Sequence, residues 1–306
     1  MVFALEIEDL TKVYPSGIQA LKGISLRVPE GDFFALLGPN GAGKSTCIGV
    51  ISSLIIKTSG CISISGLDID AEPHLSRAGL GVVAQEFNLN MFETAYDVVF
   101  RQGGYHGLSR RQSRINTERY LRALQLWDRR DLKVRELSGG MKRRLMVAKA
   151  MVNDGSVLIL DEPTAGVDVE TRHATWDFLR ELNGEGKTII LTTHYLEEAE
   201  QLCRDVAIIN NGELIANTSV SDLLHQLEVE TFIFDLAAPL EGELRLGGLE
   251  WRRREGSEVE VDLPQGETLN RVFAEFSRCG IEVISMRTRA SRLEEAFVSS
   301  LGEYQQ

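Results

Sequence analysis

The run Phe33-Phe34-Ala35-Leu36-Leu37, continuing into Gly38-Pro39-Asn40-Gly41-Ala42-Gly43-Lys44-Ser45-Thr46, constrains this chain more than any other stretch. An unbroken apolar run of that length reads as a buried strand, and the glycine-rich segment after it fits G-x-x-x-x-G-K-[ST]. The glycines let successive backbone N–H groups turn toward a pyrophosphate. The next residues, Ile48–Leu54, can continue as a helix whose N-terminus adds partial positive charge. Lys44 can reach the β- and γ-phosphates of a nucleotide, and the Ser45 hydroxyl can ligate Mg²⁺.

A second stretch, Val157-Leu158-Ile159-Leu160-Asp161-Glu162, delivers two carboxylates to the end of another buried strand, where ligands bind in open α/β sheets. Alone, Asp-Glu at a strand end serves as a cap for the next helix. Beside a phosphate loop, Asp161 is placed to hold the Mg²⁺ shell and Glu162 to orient or deprotonate a water for attack on the γ-phosphorus.

Around these motifs the chain falls into zones. Residues 1–84 read as strands and turns, with alternation at Ala4–Leu10 and Ile24–Val28. Residues 88–152 read as mainly helical, with Tyr120, Leu121, Leu124, Leu145 and Ala148 at helical spacing. Between 156 and 215, strands at Val157–Leu160, Thr188–Thr192 and Val206–Ile209 alternate with helices at Thr171–Leu182 and Tyr195–Cys203, the pattern of parallel βαβ units. From about 220 a small α+β unit is expected. Its strands are Thr231–Leu236, Glu258–Leu263 and Ile281–Ser285. One helix face carries Leu269, Val272, Phe273 and Phe276, and a last helix carries Leu293, Ala296, Phe297 and Leu301.

Composition narrows the class. A length of 306 residues with 43% hydrophobic content supports a real core in one large or two modest domains. The four cysteines lack metal-ligand or disulfide-framework spacing and read as reduced thiols. No apolar run approaches the roughly 18–20 residues that cross a bilayer. The start, Met1–Glu8, alternates apolar and acidic residues like a strand and unlike a signal peptide, so a soluble cytosolic chain is expected. The formal charge of −12 disfavours a whole-surface nucleic-acid binder. Between Arg101 and Arg144, however, 13 Lys/Arg face 4 Asp/Glu. That stretch reads either as solvated helix faces or as a surface for anionic lipid, an acidic partner or nucleic acid.

The third motif is Leu137-Ser138-Gly139-Gly140-Met141-Lys142-Arg143-Arg144-Leu145. By itself it is a serine N-cap with a flexible turn. A phosphate loop, an LSGG helix start and an LILDEP strand in this order resemble the ATP-binding cassette (ABC) ATPase family over roughly residues 4–215. The resemblance implies an α/β fold: a P-loop ABC ATPase domain over 1–220, with a mixed-sheet core and a helical subdomain at about 86–152. A smaller C-terminal α+β accessory domain over 221–306 would complete the chain.

Further residue roles rest on that resemblance. ATP would contact Tyr14, stacked on adenine, the loop residues Gly38 through Thr46, and Gln85. Mg²⁺ would be held by Ser45, Gln85 and Asp161. Glu162 and His194 would serve catalysis, and Asp168, in Ala165-Gly166-Val167-Asp168, would communicate between subunits. Ser138, Gly139 and Gly140 would bind ATP in trans, because two cassettes of this family pair head to tail and this chain holds one; a homodimer is implied. Met141 stands where members often have Gln. On residues alone, Tyr14 could be a strand tyrosine and His194 a structural histidine.

The Met-Lys-Arg-Arg version resembles the group serving ABC-2 type exporters, and Arg292-Leu293-Glu294-Glu295-Ala296-Phe297 resembles the tail of its drug-resistance-type members. The expected role is the ATP-hydrolysing subunit of such a transporter. It would be peripheral on the cytoplasmic face of the membrane and drive a separate integral permease, with no nucleic acid as partner. The alternative is a soluble ABC ATPase acting on DNA or ribosomes. A C-terminal unit that senses a small ligand is a third reading.

Overall fold

Alternating side chains on the first two strands decide how the chain begins. In the computed structural model, which describes residues 2–164, 166–193, 195–225, 229–240, 246–254, 256–289, 293–294 and 296–297, β1 (Phe3–Val13) and β2 (Gln19–Pro29) pair antiparallel with Leu5 opposite Val28 and Ile7 opposite Leu26. The chain continues through β3 (Phe33–Leu37), α1 (Lys44–Ile51), β4 (Ser59–Ile64), β5 (Leu67–Asp68), α2 (Pro73–Ala78) and β6 (Leu80–Val83). Three helices come next, α3 (Ala95–Tyr105), α4 (Arg110–Ala123) and α5 (Gly139–Met151). Then come β7 (Val157–Asp161), α6 (Val169–Gly184), β8 (Thr188–Thr192), α7 (Leu196–Leu202), β9 (Asp205–Asn210) and β10 (Glu213–Ser219).

These elements build two sheets. One has the order β2-β1-β4-β5, and the other β10-β9-β3-β8-β7-β6, in which β9, β3, β8, β7 and β6 run parallel. Strands β3, β7 and β8 are near-continuous apolar runs because both faces of a parallel sheet are covered. The first sheet's inner face (Leu5, Ile7, Ile62) shares one core with Cys47 and Ile48 of α1 and with Phe34, Ile159 and Ile190 of the second sheet. Helix α1 is thus clamped between two sheets, which fixes the loop that precedes it.

Two local features depart from the sequence reading. Pro73–Ala78 is a short helix where strands and turns are expected, opened by Pro73 in its first turn, where the missing N–H costs nothing. Helix α1 stops at Ile51, short of Leu54. Leu54 is 80% exposed and offers no burial to extend the helix, and Ser53 turns out at φ +58.

The chain divides at Thr218/Ser219 into two compact units. The second contains α8 (Val220–His225), β11 (Val229–Leu236), β12 (Trp251–Arg253), β13 (Glu258–Pro264), α9 (Leu269–Arg278) and β14 (Val283–Thr288). Its antiparallel sheet has the order β12-β13-β11-β14 and its own core of Phe232, Phe234, Val259, Val261, Val272 and Phe276. The last strand begins two residues later than Ile281. Gly280 at φ +69 closes α9, with Ile281 N–H donating to Phe276 O and Gly280 N–H to Ser277 O, so Ile281 belongs to the helix cap. Phe273, expected on the buried face, is 37% exposed while Glu275 is buried. On β13, Glu260 and Asp262 are nearly buried on the face away from α9, beneath Arg252. Leu293 and Ala296 are buried; Arg292, Glu295 and Leu301 lie outside the described residues.

Candidate functional site

The residues around the phosphate loop gather at the carboxyl ends of β3, β6, β7 and β8, the edge where α/β sheets bind ligands. The loop leaves β3 at Gly38, where a Cβ would stand 2.2 Å from Ile209 O. At Gly43, φ is +114 and a Cβ would lie 2.7 Å from Ala20 O. Neither position has room for a side chain, so the backbone can come close to a bound phosphate chain. Pro39, Asn40 and Gly41 are exposed on the outer side, and Ala42 is buried.

Lys44, 7% exposed, opens α1 and donates from Nζ to Gly38 O at 2.7 Å and Pro39 O at 3.1 Å. Burial pulls its pKa down, while Glu162 and Asp161 push it up. The charge is therefore held at the mouth of the loop by carbonyls, facing two carboxylates. Ser45 is exposed and Thr46 half-buried. Tyr14 Oη lies 3.3 Å from Thr46 Oγ1, and Lys12 Nζ sits 5.0 Å from the Tyr14 ring centroid. The aromatic ring is thus tied to the loop.

Strand β8 lies between β3 and β7, and its register sets the acidic pair. Thr192 stands opposite Asp161; its Oγ1 donates to Asp161 Oδ1 at 2.5 Å. Glu162 N–H donates to Thr192 O at 3.0 Å. Glu162 itself adopts φ +50, a left-handed conformation disfavoured for a residue with a long side chain, and strain of this kind concentrates at functional sites. The Glu162 carboxylate accepts from Gln85 Nε2 at 3.0 Å. The phosphate loop, Asp161, Glu162 and Gln85 therefore come together.

These groups fit a magnesium ion. The Ser45 hydroxyl is exposed beside the loop, Asp161 has one oxygen engaged by Thr192 and a second left to ligate, and Gln85 supplies an amide oxygen. One carboxylate with neutral oxygen donors suits a hard cation that completes its shell with phosphate and water.

The LSGG segment has different partners. Ser138 caps α5 by accepting from Met141 N–H at 3.2 Å. A Cβ at Gly140 would stand 2.6 Å from Thr171 Cγ2. Asp168 caps α6, accepting from Thr171 N–H and Oγ1, both at 2.8 Å, which hold its pKa low. Thr171 thereby couples Asp168 to Gly140 within one chain. His194 and Ala165 lie outside the described residues.

Sequence reasoning missed three side chains. Arg143 is 3% exposed, donates from Nη1 to Ala84 O at 3.0 Å and covers the Phe87 ring, so it fastens α5 to the Gln85 segment. Helical spacing does not single it out, since Lys142 and Arg144 stand equally four residues before buried Met146 and Ala148. Thr192 required the β7–β8 register, which no local pattern shows. Glu198 is fully buried and accepts from Thr164 Oγ1 and Trp176 Nε1, pinning the turn after Pro163 to α6 and α7; burial raises its pKa.

Residues 21–165 match the model of the ABC transporter family. The chain is 40% identical over 225 residues to "Nod factor export ATP-binding protein I" of Rhizobium etli, covering 73% of this chain and 71% of that one. It is 42% identical over 221 residues to the protein of the same name from Paraburkholderia xenovorans, covering 72% of each. Among solved structures, an ATP-binding subunit of an ABC transporter superposes with TM-score 0.67 at 30% identity, over 73% of this chain and 92% of that one. A dimeric ATP-binding cassette in a post-hydrolysis state, bound to ADP and Pi, gives 0.64 at 28% identity, over 71% and 98%.

Proposed function

The chain belongs to the ABC transporter family as an ATP-binding, ATP-hydrolysing subunit, and from that premise we propose that it drives export through a separate ABC-2 type permease. The observation that carries the chemistry is the Gln85–Glu162–Asp161–Thr192 constellation beside Lys44. The two Nod factor relatives are export subunits, which does not favour a DNA- or ribosome-directed ATPase.

The chemistry is assigned to residues 1–220 and an accessory role to 221–306. ATP lies along the phosphate loop, with its adenine on Tyr14 and its β- and γ-phosphates against Lys44 and the N-terminus of α1. Ser45, Asp161 and Gln85 would hold Mg²⁺, whose charge would offset that of the phosphates. Glu162, aimed by its strained backbone and by Gln85, orients and deprotonates the attacking water. For His194 a role at the γ-phosphate is proposed on the family resemblance alone. Ser138, Gly139 and Gly140 of a second copy close over the nucleotide, and Asp168 reports across that interface through Thr171.

Binding and release of ATP then shift the pair between two arrangements. The surface assigned to the permease is a groove of about 240 Å³ lined by Arg77, Asn88, Gln102, His106, Met146 and Lys149. It adjoins the Gln85 segment, where Lys149 Nζ donates to Asn88 O at 3.2 Å. Exposed Phe87 and Phe92 flank that segment, as partner surfaces commonly do. Among the described residues no helix is long and apolar enough to cross a membrane; the proposal gives the spanning to the permease and sets this subunit on the cytoplasmic face.

The test is copurification. A tagged chain extracted from host membranes in mild detergent with ATP should bring down an integral membrane protein near one-to-one. Recovery of ribosomal protein or nucleic acid in its place would overturn the transporter role.

A further inference from the structure

The fold sorts the basic stretch between Arg101 and Arg144 into arginines with different duties. Arg101 pairs with Glu93, Arg119 with Asp154 and Glu185, and Arg122 with Glu118, while Arg143 is buried. Arg110, Arg111 and Arg114 are all exposed, and among the described residues none has an ion-pair partner; Arg129, Lys133 and Arg135 are likewise exposed without one, but only the first three stand together at the start of one helix. They occupy the first turns of α4, whose buried face is Ser113, Asn116, Thr117, Tyr120 and Leu121. Positions 110, 111, 114 and 115 therefore share the outer face, neighbours at i+3 and i+4.

This placement runs against local electrostatics. The first turn of α4 holds no acidic residue, although a helix N-terminus favours negative charge and repels positive. A cluster that its own helix disfavours is suited to an anionic surface outside the molecule. Apolar groups surround it. Ile115 is 50% exposed and Tyr105, the last residue of α3, is 86% exposed. The α3–α4 turn is tight and fixed: Leu108 N–H donates to Gly103 O, and Gly103 lies so close to Ser113 that a Cβ would meet Oγ at 2.3 Å. Tyr105 thus stands at the same end of the hairpin as Arg110 and Arg111.

We propose that the α3–α4 turn, through Arg110, Arg111, Arg114, Tyr105 and Ile115, binds the anionic lipid headgroups of the membrane in which the permease sits. Arginines pair with lipid phosphates, while the tyrosine ring and the isoleucine enter the headgroup boundary. Position agrees, since Gln102 and His106, which line the groove assigned to the permease, lie on the same helix end and turn. Among the five residues of the patch Tyr105 alone carries an aromatic ring, short of the run of successive stacking rings that a single-stranded nucleic acid requires, which favours lipid. The assignment of the membrane face rests on the transporter reading, but the lipid contact is testable without the permease.

Purified full-length protein is sedimented with vesicles of phosphatidylcholine alone or with about 30% phosphatidylglycerol, about 0.05 to 0.5 M salt being used to vary screening. Binding should require the anionic lipid and weaken as salt rises. The triple variant R110Q/R111Q/R114Q should lose on the order of 100-fold in vesicle partition, and Tyr105→Ser several-fold, with basal ATPase and thermal midpoint unchanged. Equal binding by the triple variant, or none by wild type, would overturn the proposal. So would preferential binding of a labelled oligonucleotide through the same arginines. If the triple variant instead loses a copurifying permease in detergent, the turn is a protein contact and the lipid assignment fails, while the transporter role stands.

Discussion

Glu162 shows how one residue's backbone can carry a mechanism. Its φ of +50 and the Gln85 hydrogen bond hold the carboxylate in a set direction, so Glu162→Gln should bind ATP normally yet hydrolyse it roughly 10²- to 10⁴-fold more slowly; single-turnover hydrolysis checks this. Lys44→Ala acts differently. It removes the ammonium proposed to meet the phosphates and should weaken ATP binding roughly 10- to 100-fold, read by nucleotide titration. Asp32, at the opposite end of β3, concerns stability. Burial and the neighbouring Asp205 raise its pKa to about 6, so ionising it costs the folded state. That cost is absent well below about pH 4, grows as pH rises to about 6 and is constant above. Asp32→Asn keeps the acceptor for Phe33 N–H and should be more stable than wild type by on the order of 2 kcal/mol at about pH 8, with the gap closing toward about pH 4 in urea titrations.

At the scale of elements, α5 matters for what its two ends hold. Its N-terminus presents Ser138, and one turn on Arg143 reaches Ala84 O. Arg143→Met keeps most of the buried volume and removes a desolvated charge, so stability should stay within about 1 kcal/mol of wild type. Turnover should nonetheless fall several-fold with ATP affinity intact, because the Gln85 segment loses its tether. Parallel denaturation and steady-state assays separate the two, and an unaffected turnover would leave Arg143 a packing residue. Strand β8 works similarly, lending Thr192 to a site built mainly by β3 and β7. In each case a side chain of one element sets the geometry of a segment that belongs to another.

Across the whole molecule, the LSGG residues sit with Asp168 and Thr171, apart in sequence from the loop whose nucleotide they are proposed to cover. If two copies share each ATP, Lys44→Ala and Ser138→Arg, assayed at ATP well below the weakened affinity of the first, should each turn over little alone yet recover activity when mixed. Half of randomly formed pairs are mixed and each has one intact site of two, so roughly a quarter of wild-type turnover is expected. No recovery on mixing, with both variants folded, would put the site within one chain. The sequence by itself determined the phosphate loop, the acidic pair and the parallel βαβ core, because strand periodicity and glycine-dependent turns are local and leave local marks. It also marked the change of character near residue 220, since a second small core needs its own apolar pattern, seen in Phe232, Val261 and Phe276. The tertiary structure alone decided that Thr192 grips Asp161, that Arg143 rather than its two basic neighbours is buried, and that Arg110, Arg111 and Arg114 have no ion-pair partner among the described residues. Those outcomes depend on strand register and on which helix face meets which sheet, and such pairings are fixed only when distant parts of the chain pack together.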